Sequence, residues 1–345
     1  MPYLHPVSDV IPDTITELAN GMLKRPVDEV VPVNGGGNNR VYRIDAQGEQ
    51  FALKTYVRDL GDPRDRLGTE FQGLAFLNRC GADCVPEAIA RDDAHGIGIY
   101  SWVAGSAVDT PERRDLDAAI GFVRQLSGFR DKAGADTLPL ASEACLSVGE
   151  LTRQIDVRFQ KLTEADQPVI NDFLEGPFKS ARDTLIDSVY GKYAAHDFEF
   201  DQNLPLTQQT LSPSDFGFHN ALRNRAGDLV FIDFEYFGWD DPAKLTADFL
   251  LHPGFHIDEL QKRRFCKAAH ELFLNDDPDF GARLRALYPL YALRWAMIML
   301  NPFLPEWQSR RTGNDPAAAH RNTRRQHAQS MVMHALSSDK GFPYE

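Results

Sequence analysis

The 345 residues are 43% hydrophobic and 25% charged, enough for a large buried core and too apolar for wholesale disorder. The formal charge of −13 argues against a nucleic-acid partner; it mildly favours cationic ones, although an acidic surface usually serves only solubility. Four scattered cysteines, Cys80, Cys84, Cys145 and Cys266, form neither a disulfide framework nor a zinc-type double pair and read as buried reduced thiols.

Met1 to Asp13 carries acids and prolines where a signal peptide has basic and apolar stretches, so a cytoplasmic protein is expected. Residues 8–23 predict an amphipathic helix, with Ile11, Ile15, Leu18 and Leu23 at helical spacing. Strands follow. Val41–Ile44 and Phe51–Tyr56, joined by the turn-forming Asp45–Gly48, predict a hairpin. Just before it stands the run Gly35, Gly36, Gly37, Asn38 and Asn39. Consecutive glycines let backbone N–H groups approach phosphate oxygens, although three glycines more often make an ordinary turn. Lys54 ends an apolar strand, where an ammonium reaches phosphates as a point charge. Glu70 is available to steady it from a helix over 64–80 that has Leu67, Phe71, Leu74 and Leu77 on one face.

Ile97–Val103 reads as a further strand, broken at Ala104-Gly105-Ser106. The sheet-rich part, residues 1–104, then gives way to a mainly helical part, residues 105–345. Helical periodicity marks 112–130, 150–162, 168–190, 258–274 and 282–301. The apolar segment Tyr288–Leu304 is interrupted by Pro289, Arg294 and Pro302 and is too short to span a bilayer, so it reads as a core helix and no membrane partner is expected. Arg321, Arg324, Arg325 and His327 lack aromatic interleaving and read as one solvated face of a terminal helix.

One strand-and-turn island, residues 211–242, interrupts the helices. Ser212-Pro213-Ser214-Asp215 presents an acid, and Asn220 follows five residues later. The apolar strand Leu229–Ile232 delivers Asp233 and Glu235 at its end. Singly, these are ordinary turn caps and solvated strand ends. Together they suit phosphoryl transfer, which needs one carboxylate to take or orient the acceptor's proton and hard oxygens to hold Mg²⁺ against nucleotide phosphates. Asp215 fits the first role; Asn220 and Asp233 fit the second, with Glu235 as a further ligand to metal or to a metal-bound water.

In this order, the Gly-rich turn, Ala-x-Lys54 strand, helix with Glu70, apolar strand, Asp215-x4-Asn220 loop and Asp233-x-Glu235 strand resemble the aminoglycoside phosphotransferase and choline kinase-like family over roughly residues 30–255. The resemblance implies an α+β, bilobal protein kinase-like fold with a small antiparallel-sheet N-lobe and a larger, mainly helical C-lobe. It implies ATP or GTP as phosphoryl donor, with Mg²⁺, and a small-molecule hydroxyl as acceptor. Asp215 becomes the catalytic carboxylate, and Asn220 and Asp233 become metal ligands. Lys54 meets the α- and β-phosphates, and the backbone of Ser101, Trp102 and Val103 forms the hinge against the base. One departure is clear: Pro213 replaces the family's histidine two residues before the aspartate, and His219 reads as a satisfied loop histidine. A catalytically inactive nucleotide-binding regulator is the alternative. No Ala-Pro-Glu anchor follows Asp233, which argues against a protein kinase. Aminoglycosides, amino alcohols, thiamine, homoserine and sugars all remain open as acceptors. Trp295, Trp307 and their neighbours read as core or as acceptor pocket.

Overall fold

Alternating apolar and polar residues build the first part of the chain as sheet. The computed structural model describes residues 12–33, 39–56, 64–305, 307 and 317–344. Helix α1 (Pro12–Leu23) begins on a proline, whose missing N–H costs nothing in a first turn; Ile11 lies outside the described residues. Strands β1 (Glu29–Val33), β2 (Asn39–Ala46) and β3 (Glu49–Tyr56) run antiparallel. Between β2 and β3, Gln47 and Gly48 have φ of 53° and 82°, the left-handed pair whose twist suits a two-residue hairpin. Helix α2 (Arg66–Arg79) is capped by Asp65, whose side chain accepts from the Gly68 N–H. Strands β4 (Ala88–Asp92), which the sequence pattern does not announce, and β5 (Ile97–Ser101) complete a five-stranded sheet in the order β1-β2-β3-β5-β4. The strand expected to reach Val103 stops at Ser101. Ile15 and Ala19 of α1 pack against Ile44, Ala46, Phe51, Leu53, Ile97 and Ile99 of the sheet.

After β6 (Gly105–Ala107), helix α3 (Arg113–Gly128) opens with a reciprocal capping box between Glu112 and Asp115. Helices α4 (Val148–Glu164), α5 (Pro168–Phe173) and α6 (Lys179–Ala195) follow. The single helix expected over 168–190 is interrupted by a π-helical turn at Leu174–Phe178, where Pro177 supplies no N–H for regular α-helical bonding. The island then forms β7 (Thr210–Ser212), β8 (Ala221–Asn224), β9 (Leu229–Phe231) and β10 (Gly238–Asp240). Strand β8 pairs antiparallel with both β6 and β9. Gly105 is required there, because a Cβ would lie 2.6 Å from the Arg223 carbonyl oxygen.

Packing groups the chain into two compact units: Met1–Ser142 with Leu211–Trp239, and Glu143–Thr210 with Asp240–Glu345. Strands β8 and β9, which pair in one sheet with β6, belong with it to the first unit.

In the second unit, α7 (Pro242–Leu251), α8 (Glu259–Phe273), α9 (Phe280–Met299) and α10 (Ala317–Lys340) join α4–α6. Helix α9 is the hub, packed by α4, α6, α7 and α10. Its Tyr288, Tyr291 and Trp295 are buried, as core residues; Trp307 is 36% exposed. Arg321, Arg324 and Arg325 are half-buried on α10, so only part of that face is solvated. Cys145 and Cys266 are buried free thiols; Cys80 and Cys84 are only half-buried, contrary to expectation, because they flank the turn after α2. Among the described residues, no helix is long and apolar enough to cross a membrane.

Candidate active site

Strand alternation starts the site. It places Ala52, Lys54 and Tyr56 on one face of β3 and Phe51, Leu53 and Thr55 on the other. The Lys54 ammonium donates to both Glu70 oxygens, at 2.9 and 2.7 Å, and to Asp233 Oδ1 at 2.7 Å. The Lys54 side chain is 12% exposed and that of Glu70 3%. Burial alone would lower the lysine pKa, but attraction to Glu70 and Asp233 outweighs it and holds the ammonium above its ordinary range. Burial lifts the Glu70 carboxyl, and Lys54 works against that lift. Glu70 also accepts from the Tyr56 hydroxyl at 2.5 Å and from the Phe234 N–H at 3.3 Å.

Asp233 follows β9 with φ 68°, a left-handed conformation that aspartate tolerates better than most residues. Phe231 and Phe234 are buried on either side of it, while the Asp233 side chain stays 36% exposed. Glu235 is 3% exposed and accepts from Asn39 Nδ2 at 2.5 Å, with Arg66 Nη1 at 3.9 Å. Carboxylate oxygens of Glu70, Asp233 and Glu235 lie within 4.8 Å of one another.

The loop after β7 is also built on a left-handed residue. Ser214 has φ 66°, and its hydroxyl donates to the Ser142 carbonyl at 2.9 Å. Next to it, Asp215 has a side chain 38% exposed, with His219 Nε2 at 3.2 Å from Oδ1. Asn220 Nδ2 donates to the Asp215 carbonyl at 2.9 Å and to Oδ2 at 3.3 Å, which commits the amide nitrogen and leaves Oδ1 as its acceptor end. His219 is therefore partnered by Asp215 itself, in a loop where Pro213 stands two residues before the acid. Under both loops lies Phe122 of α3. It stacks on Phe231 at 4.7 Å, meets Phe234 edge-on at 6.1 Å and packs on Phe216 at 5.9 Å, so one buried ring fixes the neighbours of both Asp215 and Asp233.

Ser101 lies opposite Phe51 at the end of β5, and its N–H is committed to the Glu87 carbonyl at 2.9 Å. Trp102 and Val103 follow, half-buried. Gly35, Gly36, Gly37 and Asn38 lie outside the described residues; Asn39 opens β2 opposite Tyr56. Sequence reading passed over Tyr56. The usable signal was its spacing: it sits two residues beyond Lys54 on the same strand face.

The donor set fits a divalent cation. Asn220 Oδ1 and the carboxylates of Asp233 and Glu235 are hard oxygens of the kind Mg²⁺ takes. Three converging carboxylates outnumber the two cations beside them, Lys54 and Arg66, and the buried Asn39 Oδ1 beside Glu235 has no hydrogen-bond partner among the described residues.

Solved structures with the same fold include a choline kinase from Cryptosporidium parvum, at TM-score 0.64 and 12% identity with 96% of each chain covered. Spectinomycin phosphotransferase in complex with ADP and spectinomycin aligns at TM-score 0.62 and 13% identity, covering 98% of this chain and 99% of its own. A choline kinase from Streptococcus pneumoniae aligns at 0.60 and 16%, covering 93% and 98%. An antiparallel-sheet N-terminal region followed by a helical C-terminal region is the architecture shared with these kinases. No curated protein matches the chain significantly by sequence. The model of the phosphotransferase enzyme family matches residues 29–282, most of the chain, and on that match the chain belongs to the phosphotransferase enzyme family.

Proposed function

We propose that the chain transfers the terminal phosphoryl group of Mg-bound ATP to a hydroxyl of a small molecule. The observation that carries this reading is the meeting of Lys54, Glu70 and Asp233 through contacts of 2.7–2.9 Å, in the same unit as Asp215 and its bound Asn220. The ADP of the spectinomycin phosphotransferase complex supports an adenine nucleotide as donor. Helix α7 begins soon after Asp233, leaving little chain for a protein-substrate platform and supporting a small acceptor such as an amino alcohol, aminoglycoside or sugar.

Phosphoryl transfer asks the protein for position and charge more than for covalent chemistry. In this reading, the acceptor oxygen forms a bond to the terminal phosphorus as the bond to the ADP oxygen breaks. ADP leaves with that electron pair, and the acceptor's proton passes to the Asp215 carboxylate. Lys54, steadied by Glu70, sets a fixed positive charge against the nucleotide phosphates. Asn220, Asp233 and Glu235 would hold Mg²⁺, which when bound neutralises charge on those phosphates. The backbone of Trp102 and Val103, which follow β5, meets the base. Residues 1–104 serve as the nucleotide-binding lobe, and residues 105–345 supply the catalytic loop and the acceptor pocket.

The test is ADP release from Mg-ATP, and GDP release from Mg-GTP, across amino alcohols, aminoglycosides, sugars and thiamine. Acceptor-dependent release is expected to fall by about 10³-fold in Asp215→Asn while Mg-ATP binding persists. Unchanged turnover would remove Asp215 from the chemistry. Tight Mg-ATP binding with no release on any acceptor would favour a nucleotide-binding regulator.

A further inference from the structure

We propose that Tyr56 and Tyr100 are positioning residues whose hydroxyls form a directed hydrogen-bond chain holding Glu70, and through it Lys54, in register for the nucleotide. The proposal rests on the reading that Lys54 meets nucleotide phosphates.

The direction of the chain follows from donor and acceptor chemistry. Glu70 is 2% exposed, and its other close contacts, Lys54 and the Phe234 N–H, are donors, so its carboxylate accepts throughout. Tyr56, 2.5 Å from Glu70 Oε2, must then spend its proton on Glu70. Tyr100 lies 2.8 Å from the Tyr56 oxygen, so Tyr100 is the donor in that pair. The order is Tyr100 to Tyr56 to Glu70, all at 6% exposure or less. Water has little access to replace any link.

The sheet is shaped for this contact. Tyr100 pairs across from Ala52, and Gly98 from Lys54. A Cβ at Gly98 would lie 2.6 Å from the Tyr100 hydroxyl oxygen, so the missing side chain gives Tyr100 room to lie back along β5. Phe71, next to Glu70 on α2, packs on Tyr100 with ring centroids 6.3 Å apart. Tyr56 touches both partners of the ion pair, since the Lys54 ammonium is also 5.5 Å from its ring centroid.

The chain matters because Lys54 is shared between two acids. Once Asp233 is drawn toward a cation, Glu70 is the acid left to place the ammonium. A carboxylate held by Tyr56 and by the Phe234 N–H cannot swing away with it.

The experiment titrates Mg-ATP and adenosine into the full chain as wild type, Tyr56→Phe, Tyr100→Phe and the double variant. Mg-ATP affinity is expected to fall about tenfold in Tyr56→Phe, as for one lost hydrogen bond to a charged group, and about threefold in Tyr100→Phe, which removes a neutral one. The double variant should be no weaker than Tyr56→Phe, because Tyr100 acts only through Tyr56. Adenosine affinity should not move, whereas a general packing defect would lower it too. Unchanged Mg-ATP affinity in Tyr56→Phe, additive losses, or a matching loss for adenosine would overturn the proposal. Should Tyr56→Phe not fold, Tyr100→Phe decides in the same way. Wild type that binds no Mg-ATP would sink the nucleotide reading as well; wild-type binding with unaltered variants would sink only this inference.

Discussion

Among the described residues, Lys54 and Lys244 each sit between two carboxylates, in different surroundings. Lys54 in the first unit bonds Glu70 and Asp233, each at 2.7 Å. Lys244 in the second unit bonds Asp240 at 2.8 Å and Asp248 at 3.2 Å. The side chains of Lys244, Asp240 and Asp248 are 1%, 0% and 6% exposed. Trp295 Nε1 donates to Asp248 at 2.8 Å, the Cys145 N–H donates to Asp240, and Arg294 bonds Asp248, Gln154 and Glu143, the one half-exposed acid of this group. The first cluster keeps Asp233 at 36% exposure. The contrast teaches that a buried lysine is not in itself a functional signal. What separates the two is that one of the acids bonded to Lys54 stays within reach of solvent, and so of a ligand, whereas both acids bonded to Lys244 are buried.

Three substitutions sharpen this comparison. The largest effect is expected on stability from Lys244→Met, which strands two buried carboxylates. Urea unfolding should show a loss of about 3–5 kcal/mol; a change within experimental error would mean that the cluster is not the sealed structural element described. Next comes Lys54→Met. Mg-ATP affinity should fall by about 30-fold, through loss of a charge-assisted contact. Its unfolding midpoint should move less than that of Lys244→Met, because Asp233 can relax to water and Glu70 keeps Tyr56 and Phe234. Equal destabilisation in the two variants would break the distinction.

The smallest effect concerns pH. Burial works to raise the Glu143 pKa, but Arg294 and Arg158 outweigh it and draw the carboxyl down to about 2. An unfolded glutamate titrates at roughly 4.3. With the folded value below the unfolded one, the stabilisation from Glu143 is complete above the unfolded pKa and is lost as pH falls toward the folded one. Between about pH 5 and about pH 3, wild type should therefore lose more stability than Glu143→Gln. Parallel losses would show that the two arginines do not act through Glu143.

The sequence exposed the first cluster better than the second. Lys54 at the end of an apolar strand and Glu70 on the helix after it are recognisable types at a recognisable spacing, and Asp215, Asn220 and Asp233 fall in one short island. The Tyr100–Tyr56–Glu70 chain was not legible, because it depends on the register that sets Gly98 opposite Lys54 and on a side chain that is absent. Asp240, Lys244 and Asp248 at four-residue steps read as easily as one solvated helix face; only packing shows that every residue of α7 is buried. Pairs such as Asp115 with Arg223, between α3 and β8, have no local signature at all. The π-helical turn at Leu174–Phe178 was foreshadowed by Pro177 alone, which does not say whether a helix ends or merely bulges.

The left-handed backbone at Asp233 has a consequence for how this position can vary. Among residues one base change from an aspartate codon, asparagine and glycine suit the positive φ but give up the charge. Glutamate keeps the charge but fits that backbone poorly and carries its carboxylate one methylene further out. Valine, alanine, histidine and tyrosine lose the carboxylate altogether. No single nucleotide step away from Asp233 preserves both the turn and the short acid, so this position has no conservative neighbour in codon space.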